Sequence, residues 1–382
     1  MPHLVTRRQA IATLGGAAAL ATTAAAKEAP AAPVAIARCR SYNEDLYAKF
    51  GTIFDQIGGL RPLVNNKTVT LKLNLTGNPQ RFPWTNDLPY RTNPNTVLAV
   101  VRLLARAGAR RVRIIESFFP ATQEMDLWSR YDLNINAINN AGCKVEWENV
   151  QNRGKGSKYV RLKVPWGGYI FPAYHLNHSF VDCDTYVSMS KLKNHWIAGV
   201  TMSIKNNFGD TPCSLYGGDC GPSGNENPTK ERGPVCHQGI ESPPKGVDAE
   251  LDPTTPRDPG YRCPRIAVDQ LGIRPVDLAI VDGIESIRGG EGVWNPGVQR
   301  VTPGVLLASR NAVCLDAVGM AVMGYDPNAD RGTKPFVRGD NAPKLAEAVG
   351  IGTTNLARIE VVGLSIKQAL YDYGPGPIGK PI

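Results

Sequence analysis

The amino-acid sequence predicts an α/β protein: a mainly parallel sheet with helices on both faces, plus a long cysteine-containing loop insertion. Three observations point there. Thr68–Leu75 is rich in β-formers and reads as a buried strand. It opens a strand–helix–strand unit that closes at Arg111–Ser117, and connections this short make the two strands parallel. Strand and helix patterns then continue toward the C-terminus without an internal repeat.

Asn93-Pro94 opens the first helix, with Asn as cap and Pro at the first helical position. Val97, Val100, Val101 and Leu104 recur at helical spacing, and Gly108 ends the helix. A second helix is expected near Met125–Ala141, then a strand over Lys144–Val150. Tyr159–Val164 and Tyr169–Phe171 read as a β pair, and Asp184–Met189 as a strand. Residues 211–264 show almost no apolar periodicity, as expected of an irregular insertion. Regular pattern resumes with strands at Val276–Asp282 and Gly304–Ala308, a helix over Asn311–Met323 and a strand over Arg358–Val362.

The N-terminus runs Thr6-Arg7-Arg8-Gln9, then small and apolar to Ala24-Ala25-Ala26. This is the pattern of a removable export signal. Paired arginines before a weakly hydrophobic run, diluted by Gly15, Gly16 and threonines, suit twin-arginine export. The expected layout is a signal over 1–26, a linker over 27–40 and an α/β domain over 41–382. The mature protein is then expected in the periplasm, or otherwise outside the cytoplasm, with the export machinery as a partner and no stable membrane insertion. Signal removal takes Arg7 and Arg8 and lowers the formal net charge from +9 to +7. Arg and Lys are scattered, so no basic run marks a nucleic-acid surface, whereas a local pocket for a small anion fits.

None of the eight cysteines forms a Cys-x-x-Cys pair, which argues against an iron–sulfur cluster or a zinc knuckle. Cys213, Cys220, Cys236 and Cys263 share the irregular segment, and in an oxidising compartment two disulfides among them are expected. The cofactor stays open, a bound metal included.

In a parallel sheet, ligands bind beyond the carboxyl ends of the strands. Asn74 follows the first strand, Asp282 ends another, and Glu291 lies in the glycine-rich loop after it. Ser190–Asn207 carries Lys191, Lys193, His195, Lys205 and Asn206, a set suited to binding a carboxylate or phosphate or to acid–base work. Lys191, Lys193 and His195 alternate and could share one face. Like charges so close call for an anion or an acid between them, and Asp282 or Asp316 could be that acid. Asp316 sits among apolar residues, so it either faces the pocket or bonds backbone amides at a helix start.

Ser190–Gly209, SKLKNHWIAGVTMSIKNNFG, resembles the central motif of the family called domain of unknown function 362. Leu71–Leu75 resembles the family's first strand, with Leu73 where that pattern has proline, and 276–291 and 311–326 resemble its C-terminal half. The resemblance spans about residues 68–330 and implies an α/β fold with no settled reaction. It also matches His237 to a later family histidine.

Three functions fit. The first is an exported enzyme acting on a small anion, with His195, Lys193 and Asp316 catalytic and Lys191, Lys205, Asn206, Asn74, Asp282 and Glu291 binding substrate. The second is a non-catalytic periplasmic binding protein. The third is a metal-cofactor isomerase resembling nickel-pincer lactate racemase. The export reading makes a direct prediction. Replacing Arg7 and Arg8 together by Lys should leave precursor in the cytoplasm on cell fractionation, and normal export of that variant would overturn it.

Overall fold

The computed structural model describes residues 28–77, 82, 87–118, 125–150, 159–217, 232–243 and 245–377. The expected signal and Cys220 lie outside them. The first half contains β1 (Val34–Arg38), α1 (Leu46–Gln56), α2 (Arg61–Val64), β2 (Thr68–Lys72), α3 (Pro94–Arg106) and β3 (Arg111–Glu116). There follow α4 (Met125–Ser129), α5 (Ile135–Asn139), β4 (Lys144–Asn149), β5 (Tyr159–Lys163), β6 (Ala173–Asn177) and β7 (Thr185–Lys191). The motif region holds β8 (Asn194–His195), β9 (Gly199–Val200), α6 (Met202–Asn207) and α7 (Cys213–Tyr216). The chain continues through α8 (Pro259–Ile273), β10 (Leu278–Gly283), β11 (Ser286–Arg288), β12 (Gln299–Val301) and β13 (Val305–Ser309). It closes with α9 (Ala312–Val322), α10 (Ala342–Ala348), β14 (Val361–Gly363) and α11 (Ile366–Ala369).

Eight strands form one sheet in the order β14-β1-β13-β10-β7-β2-β3-β4. Every pairing is parallel except the two made by β13, which runs against both β1 and β10. Alternate residues feed two cores. In β10, Leu278 and Ile280 enter the core under α1 and α3, while Ala279 and Val281 enter the one under α8 and α9. Helices therefore cover both faces, and the protein is α/β as its sequence predicts.

The expected α3 is present, with the Asn93 side chain accepting from the Asn95 amide. β3 lies parallel to β2 in the predicted unit. Other elements differ. Residues 34–38, assigned to a linker, form β1 inside the main sheet, between β13 and β14. The helix expected over 125–141 is broken into α4 and α5, with Asp132 between them at φ 59°. β5 pairs with β6 rather than with Tyr169–Phe171. The amides of Tyr169 and Ile170 instead donate to the Asp269 carboxylate on α8, at 2.8 and 3.2 Å. The segment read as irregular contains α7, a π-helical turn over Gly233–Gln238 and the start of α8. No helix among the described residues is long and apolar enough to cross a membrane.

The disulfide expectation is corrected among the described cysteines: no bridge links Cys213, Cys236 and Cys263 to one another. The physical reason is packing. Cys236 on the π turn and Cys263 on α8 are fully buried in the core that joins these two elements, so burial anchors the segment where cross-links were expected.

The start of α6 needs help from elsewhere. Met202 sits at φ 29°, a strained value for a side chain with a Cβ, and Thr201 supplies no side-chain cap. Asp316 of α9 reaches over and accepts from the amides of Ser203 at 2.8 Å and Ile204 at 2.9 Å. This is the second of the two roles the sequence left open for it. Two expectations follow. Alkylation of the unfolded protein under non-reducing conditions should label Cys236 and Cys263, and recovery of either in a disulfide-linked peptide would contradict the structure. Asp316→Ala strands two buried amides and should lower stability by ~2–4 kcal/mol in chemical denaturation; a loss under ~1 kcal/mol would show that the cap is dispensable.

Candidate functional site

β2, β7 and β10 run parallel and end at the same edge of the sheet. Their ends bring Asn74, Lys191 and Asp282 to that edge, but the three do not act as one set.

Lys191 is the last residue of β7 and lies opposite Asp282 in the register. Its ammonium is 3.1 Å from the Asp282 carboxylate, and neither side chain is exposed at all. The ammonium also donates to Tyr42 Oη at 2.9 Å and to the Glu285 carbonyl at 2.5 Å. Asp282 further accepts from Tyr42 Oη at 3.1 Å, the Ile284 amide at 3.2 Å and the Asn93 amide at 3.3 Å. Burial lowers the Lys191 pKa, and the adjacent Asp282 opposes it. Burial and Asp282 both push the Tyr42 hydroxyl up. Lys191 is thus neutralised inside the protein, and Asp282 is its partner.

Lys193 is different. It is equally buried, yet among the described residues its ammonium donates only to two backbone carbonyls, of Tyr90 at 2.6 Å and Glu291 at 2.9 Å. Burial drives its pKa well down; Glu291 opposes this, while Lys191, Arg91 and Lys205 add to it. Lys205, on α6, lies 4.4 Å above the Phe208 ring and shares a hydrogen bond with Cys263. Burial lowers its pKa too, with Arg232 adding to the effect. Neither Lys193 nor Lys205 forms an ion pair with a described residue. Glu291 is a carboxylate whose charge reaches both of them.

His195 joins this group from the two-stranded hairpin of β8 and β9. Its Nδ1 accepts from the amides of Ile197 and Ala198, each at 3.2 Å. Burial, reinforced by Lys205 and Lys193 and opposed by Glu291, pushes its pKa down to about 3. Glu291 holds the hairpin by accepting from the Trp196 amide at 2.8 Å, and it accepts from the Trp294 indole at 2.9 Å. Burial works to raise the Glu291 pKa, but His195 and these two donors keep it below the ordinary value. Asn194 ties the hairpin down through Tyr325 Oη at 3.1 Å and the Gly289 amide at 3.0 Å. Tyr373, near the C-terminus, donates to the Leu192 carbonyl at 2.6 Å.

Two residues join this cluster from the segment read as irregular. His237 lies on the π-helical turn, with its ring 4.4 Å from that of Phe208. Burial, Lys205, Arg232 and His195 together drive its pKa well below the ordinary histidine value. Arg232 places its guanidinium 5.6 Å from the Phe208 ring and donates to Ser117 Oγ at 3.0 Å and the Thr211 carbonyl at 2.8 Å. The sequence pointed to His237 only through the family resemblance and did not point to Arg232. A π turn is a recurrent mark of functional sites, but hydropathy periodicity carries no trace of it.

Asn206, next to Lys205 on α6, and Asn74 form a hydrogen-bonded layer of their own. The Asn74 amide donates to Asn206 Oδ1 at 3.0 Å, and Asn206 donates to Ser188 Oγ at 3.1 Å. Asn74 Oδ1 is buried without a hydrogen-bond partner among the described residues. Asp316 caps α6 and so acts on Lys205 only through that helix; burial pushes its pKa up to about 7. Among the described residues, no three His, Cys, Asp or Glu side chains converge to hold a metal ion.

Chemically, the cluster offers two lysines, an arginine, two imidazoles whose protonation burial opposes, and one carboxylate. It suits a small ligand of negative charge that also exchanges or accepts hydrogen bonds.

None of the curated proteins matches the chain. Among solved structures, the lactate racemase apoprotein from Thermoanaerobacterium thermosaccharolyticum is similar at 13% identity and a TM-score of 0.38, over 71% of this chain and 54% of that one. The chain thus spans about half the length of that protein, and so distant a likeness carries no argument about activity. A family model described as a domain of unknown function (DUF362) matches residues 69–321, which include Lys193, His195, Lys205, Arg232, His237 and Glu291. The chain belongs to this DUF362 family.

Proposed function

We propose that the protein is an exported enzyme that takes a small anionic substrate into the recess built by Lys193, Lys205, Arg232, His195, His237 and Glu291. One observation carries the reading. Lys193, fully buried, and Lys205, partly exposed, lie near enough for their charges to oppose each other, and neither forms an ion pair with a described residue; an anion relieves that opposition. Lys191 is excluded from the binding set because Asp282 already neutralises it. Lys193 and Lys205 hold the anionic group, and Arg232 adds its field from the Phe208 side. Two histidines beside the anion make proton handling available, which a plain binding protein does not require. Asp316 and the Asn74–Asn206 pair position α6 and are not reacting groups.

The reading makes an unusual joint prediction. Lys205→Met removes a half-buried charge that Arg232 opposes, so in anion-free buffer it should match or exceed the wild type in melting temperature. Inorganic phosphate or acetate should stabilise the wild type by about 2.7 kcal/mol at a hundred times its dissociation constant, and should stabilise the variant far less. Equal stabilisation of both proteins, or of neither, would overturn the anion site. Anion binding without turnover of any of a broad panel of small carboxylates and phosphate esters would favour the binding-protein reading.

A further inference from the structure

The two histidines of the recess are held in different ways, and the difference bears on what each can do. The inference rests on the anion-site reading and deepens it. We infer that His195 is a fixed neutral hydrogen-bond donor through Nε2, that His237 is the group that takes up a proton when the anion arrives, and that the ligand carries an acceptor oxygen close to its anionic group.

The argument for His195 starts at the hairpin. The chain turns through Trp196-Ile197-Ala198 between β8 and β9, and the turn aims the Ile197 and Ala198 amides at Nδ1, each at 3.2 Å. A neutral imidazole carries one N–H and one lone pair. Two donors at Nδ1 require the lone pair to be there, so the proton is on Nε2. Protonating Nδ1 would break both bonds and set three N–H groups against one another.

The amides cannot swing away to allow it. Asn194 is bonded on both sides of its amide group, to Tyr325 and the Gly199 carbonyl and from Gly289. The Trp196 amide is held by Glu291. Gly199 sits at φ +74°, and a Cβ there would come within 2.6 Å of the Phe336 ring, so the turn is built around a glycine. The charged groups facing His195 agree: Lys193 and Lys205 oppose an imidazolium and only Glu291 favours one. Nε2 makes no hydrogen bond to a described residue, so its N–H is available to a ligand. A donor of this kind is satisfied by a carbonyl, carboxylate or phosphoryl oxygen.

His237 has no such fixture. Neither ring nitrogen makes a hydrogen bond to a described residue, and the ring is held by its packing on Phe208. The charged and titratable groups that face it are Lys205, Arg232 and His195, and all of them disfavour its protonation. An anion bound between Lys205 and Arg232 would offset both cations, and the His237 pKa then rises. Anion binding and proton uptake at His237 are therefore linked, and each strengthens the other.

The test is two-bond 1H–15N correlation spectroscopy of the whole protein with 15N-labelled histidine, from pH 5 to 8, with and without saturating inorganic phosphate. His195→Gln and His237→Gln assign the signals among five histidines. The expected result is an Nε2–H pattern for His195 that does not titrate in either condition, and an upward shift of at least one pH unit in the His237 midpoint on adding phosphate. An Nδ1–H tautomer or a titration midpoint between pH 5 and 8 at His195 would overturn the first part. An unmoved His237 midpoint while phosphate demonstrably binds would overturn the second. Failure of phosphate to bind at all defeats the anion site itself, and the His195 pattern is still read on the free protein.

Discussion

The ion pair between Lys191 and Asp282 is the interaction on which the working edge of this protein depends. It joins β7 to β10 at their carboxyl ends, and it recruits Tyr42 from the loop after β1 and the Asn93 amide at the start of α3. Four parts of the chain are thereby gathered at one buried point. An isolated charge at that depth would be strongly unfavourable; here each charge has a partner, and Asp282 accepts from three further donors. The chain leaving Lys191 runs on directly to Lys193 and the His195 hairpin.

That arrangement sorts lysines of the same type into different roles. Lys191 has a carboxylate beside it, whereas Lys193 has two carbonyls, which soften its charge without cancelling it. Lys205 has an aromatic face and a thiol. Neither Lys193 nor Lys205 has an acid of its own among the described residues, and sites for charged ligands commonly carry groups with such displaced pKa values. The surroundings are correspondingly firm: Asp316 braces the strained start of α6, and Asn194, Tyr325, Tyr373 and Glu291 brace the hairpin of His195. The recess is a soft electrostatic centre inside a rigid hydrogen-bonded frame.

Much of the site was legible because it lies in one stretch of chain. Lys193, His195 and Lys205 fall within Ser190–Asn207, directly after a recognisable strand, and strand ends are where α/β sheets bind ligands. The expectation that Lys191, Lys193 and His195 form one row was too simple, because β7 ends at Lys191 and the chain turns, so the period of two stops applying there. The disulfide expectation misjudged the 211–264 segment for a related reason. Its proline- and glycine-rich composition hides a π turn and the start of α8, whose burial comes from partners elsewhere in the chain.

By itself the sequence determined the class of fold, the placing of most strands, the Asn93 cap of α3 and the segment that carries the chemistry. Those features follow from periodicity and capping, which act between near neighbours. Tertiary structure decided that β13 runs antiparallel, that residues 34–38 enter the sheet, that Asp282 belongs to Lys191, and that His237 and Arg232 complete the recess. It also decided which nitrogen of His195 carries the proton. Charge, burial and hydrogen bonding are set by whichever groups meet in space, and Asp282 meets Tyr42 across 240 positions of chain. No local pattern encodes such a meeting; only the packed sheet brings it about.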